Sequence, residues 1–200
     1  MHHLKKSDLA ISAKPSRTEA EEAVRILLAY AGDDLTREGL SDTPKRVIKA
    51  YEEYYSGYKE DPRGFLQRTF SEVSGYSDVV LLRDIPFYSH CEHHMAPIEG
   101  VVHVAYWPNK KVVGISKLAR VVDAFARRLQ IQENMTAEIA TVIQEVLQPH
   151  GVAVYISAAH HCMMGRGVNK AGAILVTSHF TGVYETDRAA RADVKSLIRI

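Results

Sequence analysis

"EGVVHVAYWPNKKVVGISKLARVVDAF", residues 99 to 125, changes its period part-way along. Up to Trp107 it is dense in β-branched and aromatic residues, the composition of a strand, and Pro108, Asn109 and Lys110 mark a turn into a second strand, "KVVGIS". From Ser116, read as an N-cap, Leu118, Val121, Val122, Phe125 and Leu129 recur at helical spacing. A further helix is expected from about Thr136 to Leu147, before Pro149 and Gly151, and two strands follow, "VAVYISAA" and "GAILVTSHF". Upstream, "VVLL" at 79–82 reads as one more short strand. Strand, strand, helix, helix, strand, strand suits an α+β fold, an antiparallel sheet with a helix pair on one face.

The region before the sheet reads as helical. Ser16 and Glu19 form a capping box, Ala23, Ile26, Leu27 and Tyr30 follow on one face, and Gly32 closes the run. A second helix is expected from "SDTPKR", capped by Thr43 with Pro44 in its first turn, carrying Val47, Tyr51 and Tyr54 up to Gly57. "SGYKEDPRGF" reads as a connection, which divides the chain into a helical region, 1–62, and a catalytic body, 63–200. The tail "ETDRAARADVKSLIRI" is compatible with a helix and is expected to be peripheral.

Lys+Arg 25 against Asp+Glu 24 in 200 residues gives a formal charge of +1, which argues against nucleic-acid or membrane-surface binding. No apolar run approaches the roughly 20 residues of a membrane span, and the start, MHHLKKSDLA, has no signal-peptide centre. The expected location is the cytoplasm. There a lone disulfide between Cys91 and Cys162 is the weaker reading of the two cysteines, because both have histidine neighbours.

Those neighbours carry the chemistry. Cys91 and His94, three positions apart, can present a thiolate and an imidazole to one ion, and "HHC" at 160–162 offers a second thiolate at a strand end. Three such ligands leave a fourth position open, the pattern of a catalytic rather than a structural zinc. The competing reading is a satisfied polar loop. His93 and His160 lie beside the proposed ligands and titrate where a metal-activated water needs proton partners, or else they orient the ligands. Ser116, Lys117 and Arg120 stand at a helix start, where the dipole and free N–H groups favour an anion, and Arg166 lies between two glycines. Basic residues near a helix start are more often simply solvated, and Glu133, between two helices, reads as a surface charge from sequence alone. His103 reads as structural; His2, His3, His150 and His179 show no sign of a role.

Taken together, "SHCEHHMAPIEGVVHVAYWP", "VVGISKLARVVDAFARRLQIQENMT" and "AAHHCMMGRGV", with "DTPKR" upstream and "TSHFTGVY" downstream, closely resemble the GTP cyclohydrolase I family, in family order from about Thr18 to Tyr184. The resemblance implies a tunnelling fold, in which antiparallel sheets of several subunits close a barrel with helices outside. It also implies a homodecamer of two pentamers with active sites between subunits. By resemblance Cys91, His94 and Cys162 hold zinc, His93 and His160 are catalytic, and Glu133 accepts hydrogen bonds from guanine with Gln132 shaping the pocket. Ser116, Lys117, Arg120 and Arg166 would hold the ribose and triphosphate of GTP, and Arg46 and Lys49 would reach a neighbouring subunit's site. The implied reaction opens the purine imidazole ring: water activated at zinc adds at C8, an imidazolium, His160, protonates N7, and C8 leaves as formate. The ribose then opens, rearranges and closes to 7,8-dihydroneopterin triphosphate, with His93 and Ser116 serving those later steps.

Some positions depart from the pattern. Gly165 stands where relatives carry a larger side chain, His161 where they vary, and alanines in "SAAHHC" where many carry an acid. Three other readings remain: a different tunnelling-fold enzyme, a non-catalytic GTP-binding assembly, and a structural zinc module that binds a protein. The nitrile-reducing tunnelling-fold enzymes use a cysteine nucleophile without this pair of cysteines.

Overall fold

The structure, a computed structural model, describes residues 14–71 and 75–198. His2, His3 and the last two residues of the tail lie outside them. The described residues divide into two compact units, one up to Glu53 and one from Tyr54.

In the first unit, α1 (Arg17–Tyr30) starts as its sequence dictates: Ser16 accepts from the Glu19 N–H while the Glu19 carboxylate reaches back to the Ser16 N–H. Gly32 follows with φ +90°. Its apolar face is open, with Ile26, Leu27 and Tyr30 at 62%, 64% and 91% exposure. A short α2 (Glu38–Ser41), which the sequence reading omitted, runs into α3 (Thr43–Tyr54).

The second unit is built on one sheet. Its strands are β2 (Val80–Cys91), β3 (Pro97–Trp107), β5 (Leu129–Gln130), β6 (Gly151–His160) and β7 (Ile174–Gly182), in the order β5-β2-β3-β6-β7. All neighbours are antiparallel except β2 and β5. Two helices, α5 (Ile115–Ala126) and α6 (Gln132–Leu147), bury Leu118, Val121, Val122, Ile139 and Ile143 against Val102, Val104, Val154 and Ile156 of one sheet face. Each such side chain contributes roughly 1.5–3 kcal/mol relative to exposure. The other face carries Ala105, Ala153 and Tyr155, packed with Val194 and Ile198 of α9 (Arg188–Ile198) and with Tyr184 of α8 (Val183–Thr186). With both faces covered, β3 and β6 read as near-continuous apolar runs. Between them Gly100 allows a close approach: a Cβ there would strike the Ser157 carbonyl and Ala158.

Several expectations need correction. The tail is no peripheral appendage, since Val194 and Ile198 are buried on the sheet. "SGYKEDPRGF" is not a plain connection but a 3-10 turn (Ser56–Lys59) and α4 (Pro62–Leu66), where Asp61 accepts from the Arg63 N–H and Pro62 opens the helix. The pair Val112–Val113, β4, does not fold back on β3. Both edges of β3 are taken by β2 and β6, and β4 pairs instead with β1 (Thr69–Phe70). The "VVLL" strand runs on to Cys91, through a bulge between Leu82 and Ile85 where Asp84 has φ +56°. Among the described residues no helix is long and apolar enough to cross a membrane.

Candidate metal and nucleotide site

The end of β2 delivers Cys91, nearly fully buried, and the chain turns back at once. Met95 N–H donates to the Cys91 carbonyl at 2.8 Å and Cys91 N–H to the Ala96 carbonyl at 2.9 Å, with Met95 at φ +53°. This tight turn sets His94 beside Cys91, Nδ1 lying 3.9 Å from Sγ. The third donor comes from just beyond β6, the next strand but one from β2 in the sheet. β6 pairs with β3 so that His160 stands opposite Ile98, and α7 (His161–Met164) starts at the next residue, bringing Cys162 over the turn. One donor atom from each of Cys91, His94 and Cys162 lies within 4.8 Å of the others, a span a single small cation can bridge.

The donors suit a borderline-soft ion. Both cysteines are free, so the disulfide reading fails. Burial, and then the neighbouring Cys91, push the Cys162 thiol up, with Arg166 pulling the other way. Arg166 Nη1 lies 3.2 Å from His94 Nε2, and His94 Nδ1 faces the Cys91 thiol.

Beside this cluster His160 bonds through Nε2 to Gln132 Oε1 at 2.8 Å. Burial holds its pKa below the ordinary histidine value, and the Glu133 carboxylate opposes that shift. Gln132 is buried, and its amide nitrogen lies within reach of the Ile156 and Leu175 carbonyls and the Thr177 hydroxyl. The side chain is thus held by several partners within the chain.

The sequence that builds this cluster has relatives among known proteins. Residues 20–199 match the model of the family described as GTP cyclohydrolase I. The chain belongs to that family. It is 58% identical over 188 residues, 94% of this chain and 92% of the relative, to GTP cyclohydrolase 1 of Sinorhizobium fredii. The GTP cyclohydrolase 1 of Maricaulis maris is 58% identical over 179 residues, covering 90% and 87% of the two chains. That of Allorhizobium ampelinum is 59% identical over 176 residues, 88% of each.

The other residues expected from resemblance to GTP cyclohydrolase I are distributed as follows. His93 is exposed, near Glu92 at 3.9 Å and edge-on to His94. Ser116 does not cap α5: Gly114 occupies that position, and Ser116 stands exposed in the first turn with Lys117 half-buried behind it. Arg120 lies 5.9 Å over the Phe65 ring, lining a cavity of about 260 Å³ with Glu60, Asp123 and Arg127. Burial raises the Asp123 pKa there. Glu133 belongs to the first turn of α6, which starts at Gln132 and not near Thr136. Arg46 and Lys49 are exposed on α3 in the first unit, Arg46 lying 3.7 Å from Asp42.

The departures from the GTP cyclohydrolase I pattern have local explanations. Gly165 keeps a negative φ and a Cβ there would meet open space, so the loop has room for a larger side chain. Of the two alanines before His160, Ala158 packs against Gly100, and Gln132 is the hydrogen-bond partner of His160. His161 bonds Glu99 at 2.9 Å, tying α7 to β3. That contact and the Thr177 hydroxyl were missed in the sequence, because neither has a signature at short range. His90, buried among Tyr54, Tyr55 and Tyr88 with Nδ1 unbonded, was also missed; its position next to Cys91 was the one available clue.

Proposed function

We infer that this protein hydrolyses GTP to 7,8-dihydroneopterin triphosphate and formate, the first step of pterin and folate biosynthesis. The observation that carries the reading is the cluster of Cys91, His94 and Cys162 donors within 4.8 Å, next to a Gln132-bonded His160, in a chain 58% identical to named GTP cyclohydrolases. Cys91, His94 and Cys162 would hold zinc, which when bound supplies Lewis acidity to activate water at neutral pH. His160 holds the proton destined for N7 of the purine, and His93 serves proton transfer in the later steps. The Glu133 carboxylate accepts from the adjacent N–H groups of guanine, a task no neutral side chain performs as well. Ser116 orients the ribose, and Lys117, Arg120 and Arg166 hold the triphosphate. Arg46 and Lys49 serve the site of a neighbouring subunit. The functional division is a helical region through residue 62 and a catalytic body from 63.

The active form is a decamer of two pentamers in the cytoplasm, with the sheets joined into a barrel. Support comes from β7, an edge strand whose Ile174, Leu175 and Val176 are exposed at 55%, 38% and 51%. An edge so apolar is a template for another strand. The reading is tested by following the ultraviolet spectrum of a GTP incubation while formate is assayed. Conversion of purine to pterin with one formate per GTP is expected; a purine spectrum unchanged in the presence of zinc overturns it.

A further inference from the structure

Four side chains behind the site form a hydrogen-bond chain whose every donor is determined. Thr136 Oγ1 lies 2.6 Å from the Gln132 main-chain carbonyl, which can only accept, so the Thr136 hydrogen is committed there. Thr177 Oγ1 is 2.7 Å from Thr136 Oγ1 and must therefore be the donor of that pair. Its own lone pairs then accept from Gln132 Nε2 at 3.0 Å. The same nitrogen faces the Ile156 carbonyl at 3.2 Å and the Leu175 carbonyl at 3.1 Å. A reversed amide would set Oε1 against two carbonyl oxygens with no hydrogen between them, inside a residue 1% exposed. The amide thus has one orientation, with Oε1 toward His160 Nε2 at 2.8 Å.

We propose that Gln132, held by Thr136 and Thr177, is a positioning residue that keeps the hydrogen of neutral His160 on Nε2 and leaves Nδ1 as the nitrogen that exchanges a proton with substrate. The proposal rests on the GTP cyclohydrolase reading for the identity of the substrate, but the placement of the hydrogen does not. Since Oε1 can only accept, the Nε2–H bond persists whether or not Nδ1 carries a proton, and His160 gives or takes its proton without turning its ring. Among the described residues nothing bonds Nδ1. This assigns Gln132 a role other than contact with the guanine ring.

The test is magic-angle-spinning NMR of zinc-loaded, 15N-histidine-labelled protein at a pH where His160 is neutral, its signals identified by their loss in His160→Asn. A pyrrole-type Nε2 and a pyridine-type Nδ1 are expected; the opposite pattern in the unaltered protein overturns the proposal whatever the activity toward GTP. Gln132→Leu should mix the two tautomers and lower kcat roughly 10- to 100-fold with KM little changed, the usual loss when an orienting partner is removed. Thr177→Val should give a smaller loss of kcat, because two carbonyls still hold the amide, and Thr177→Ser should restore it. If Gln132→Leu fails to fold, the tautomer of the unaltered protein and the two Thr177 variants still decide. A Gln132→Leu protein with an unmixed tautomer and unchanged kcat would also overturn the assignment.

Discussion

The Cys162 thiol, pushed up by burial and by Cys91 beside it, keeps its proton until a cation competes for the sulfur. Zinc added to the metal-free protein should therefore release protons, and about one ion per chain should be retained. Cys91→Ser, His94→Ala and Cys162→Ser should each lose the metal together with formate release, as read by elemental analysis and enzyme assay. Full metal content in all three purified variants would count against the site. The task proposed for Glu133 is different and so is its failure. Replacing it by Gln swaps an acceptor for a donor opposite the guanine N–H groups, which should weaken GTP binding by about 2–5 kcal/mol by calorimetry, with the zinc content untouched. ATP should be turned over poorly by the unaltered protein. Equal turnover of the two nucleotides would remove Glu133 from recognition.

Between residue and fold stands the bulge of β2. At Leu82–Ile85 the register shifts, Asp84 turns to φ +56°, and its N–H donates to Nδ1 of the buried His103 at 3.1 Å. Burial lowers the His103 pKa, the Asp84 carboxylate resists this, and Arg83 adds to it. A histidine lowered in the fold is protonated first in the unfolded chain. The stability it confers is thus complete above the unfolded value of about 6.5 and is lost as pH falls through the lower folded value. His90 and His160 shift in the same direction and steepen the loss. Melting temperature should therefore fall between a pH of about 7.5 and about 5, and less steeply in His103→Asn, where Oδ1 keeps an acceptor that does not titrate. Parallel curves for the two proteins would argue that the bulge is indifferent to protonation. The bulge also marks how far elements could be read. α1 and α5 were legible because their signals are local, a capping box in one and helical periodicity in the other. β2 was underestimated, since a bulge breaks the alternation by which a strand is recognised. β4 was paired wrongly because strand partners are settled at long range, by which edges remain open.

At the scale of the molecule, β7 and the apolar face of α1 each leave apolar surface uncovered in a single chain. Ile174→Lys combined with Val176→Lys places charge on the β7 edge, a device proteins use to prevent strand addition. The double variant should sediment as a smaller species than the unaltered protein and lose GTP turnover. Unchanged sedimentation would mean that β7 is not a subunit contact. The grouping of Cys91, His94 and Cys162 was legible before the fold, because cysteine and histidine in such spacing have few other uses. The hydrogen-bond network behind it was less so: the sequence places Gln132, Thr136 and Thr177 up to 45 positions apart, and only the packing of α6 on β6 and β7 brings their polar atoms together. The α5 residues proposed for the triphosphate, Lys117 and Arg120, are in between, local yet ambiguous, since a basic helix start looks the same whether it meets phosphate or water.

The Cys91–Ala96 turn and the β3–β6 register jointly decide where the three donors meet. Two of them are made early in synthesis and lie within one turn, and a chain that had gone no further would offer an ion only two of the three donors. The third arrives about seventy residues later and reaches the turn only if β6 has paired with His160 opposite Ile98. A slip of one position would reverse the faces of β6 and carry Cys162 off the turn. Tight retention of the ion would then proofread strand register, so that chains paired wrongly would be distinguished by what they fail to hold.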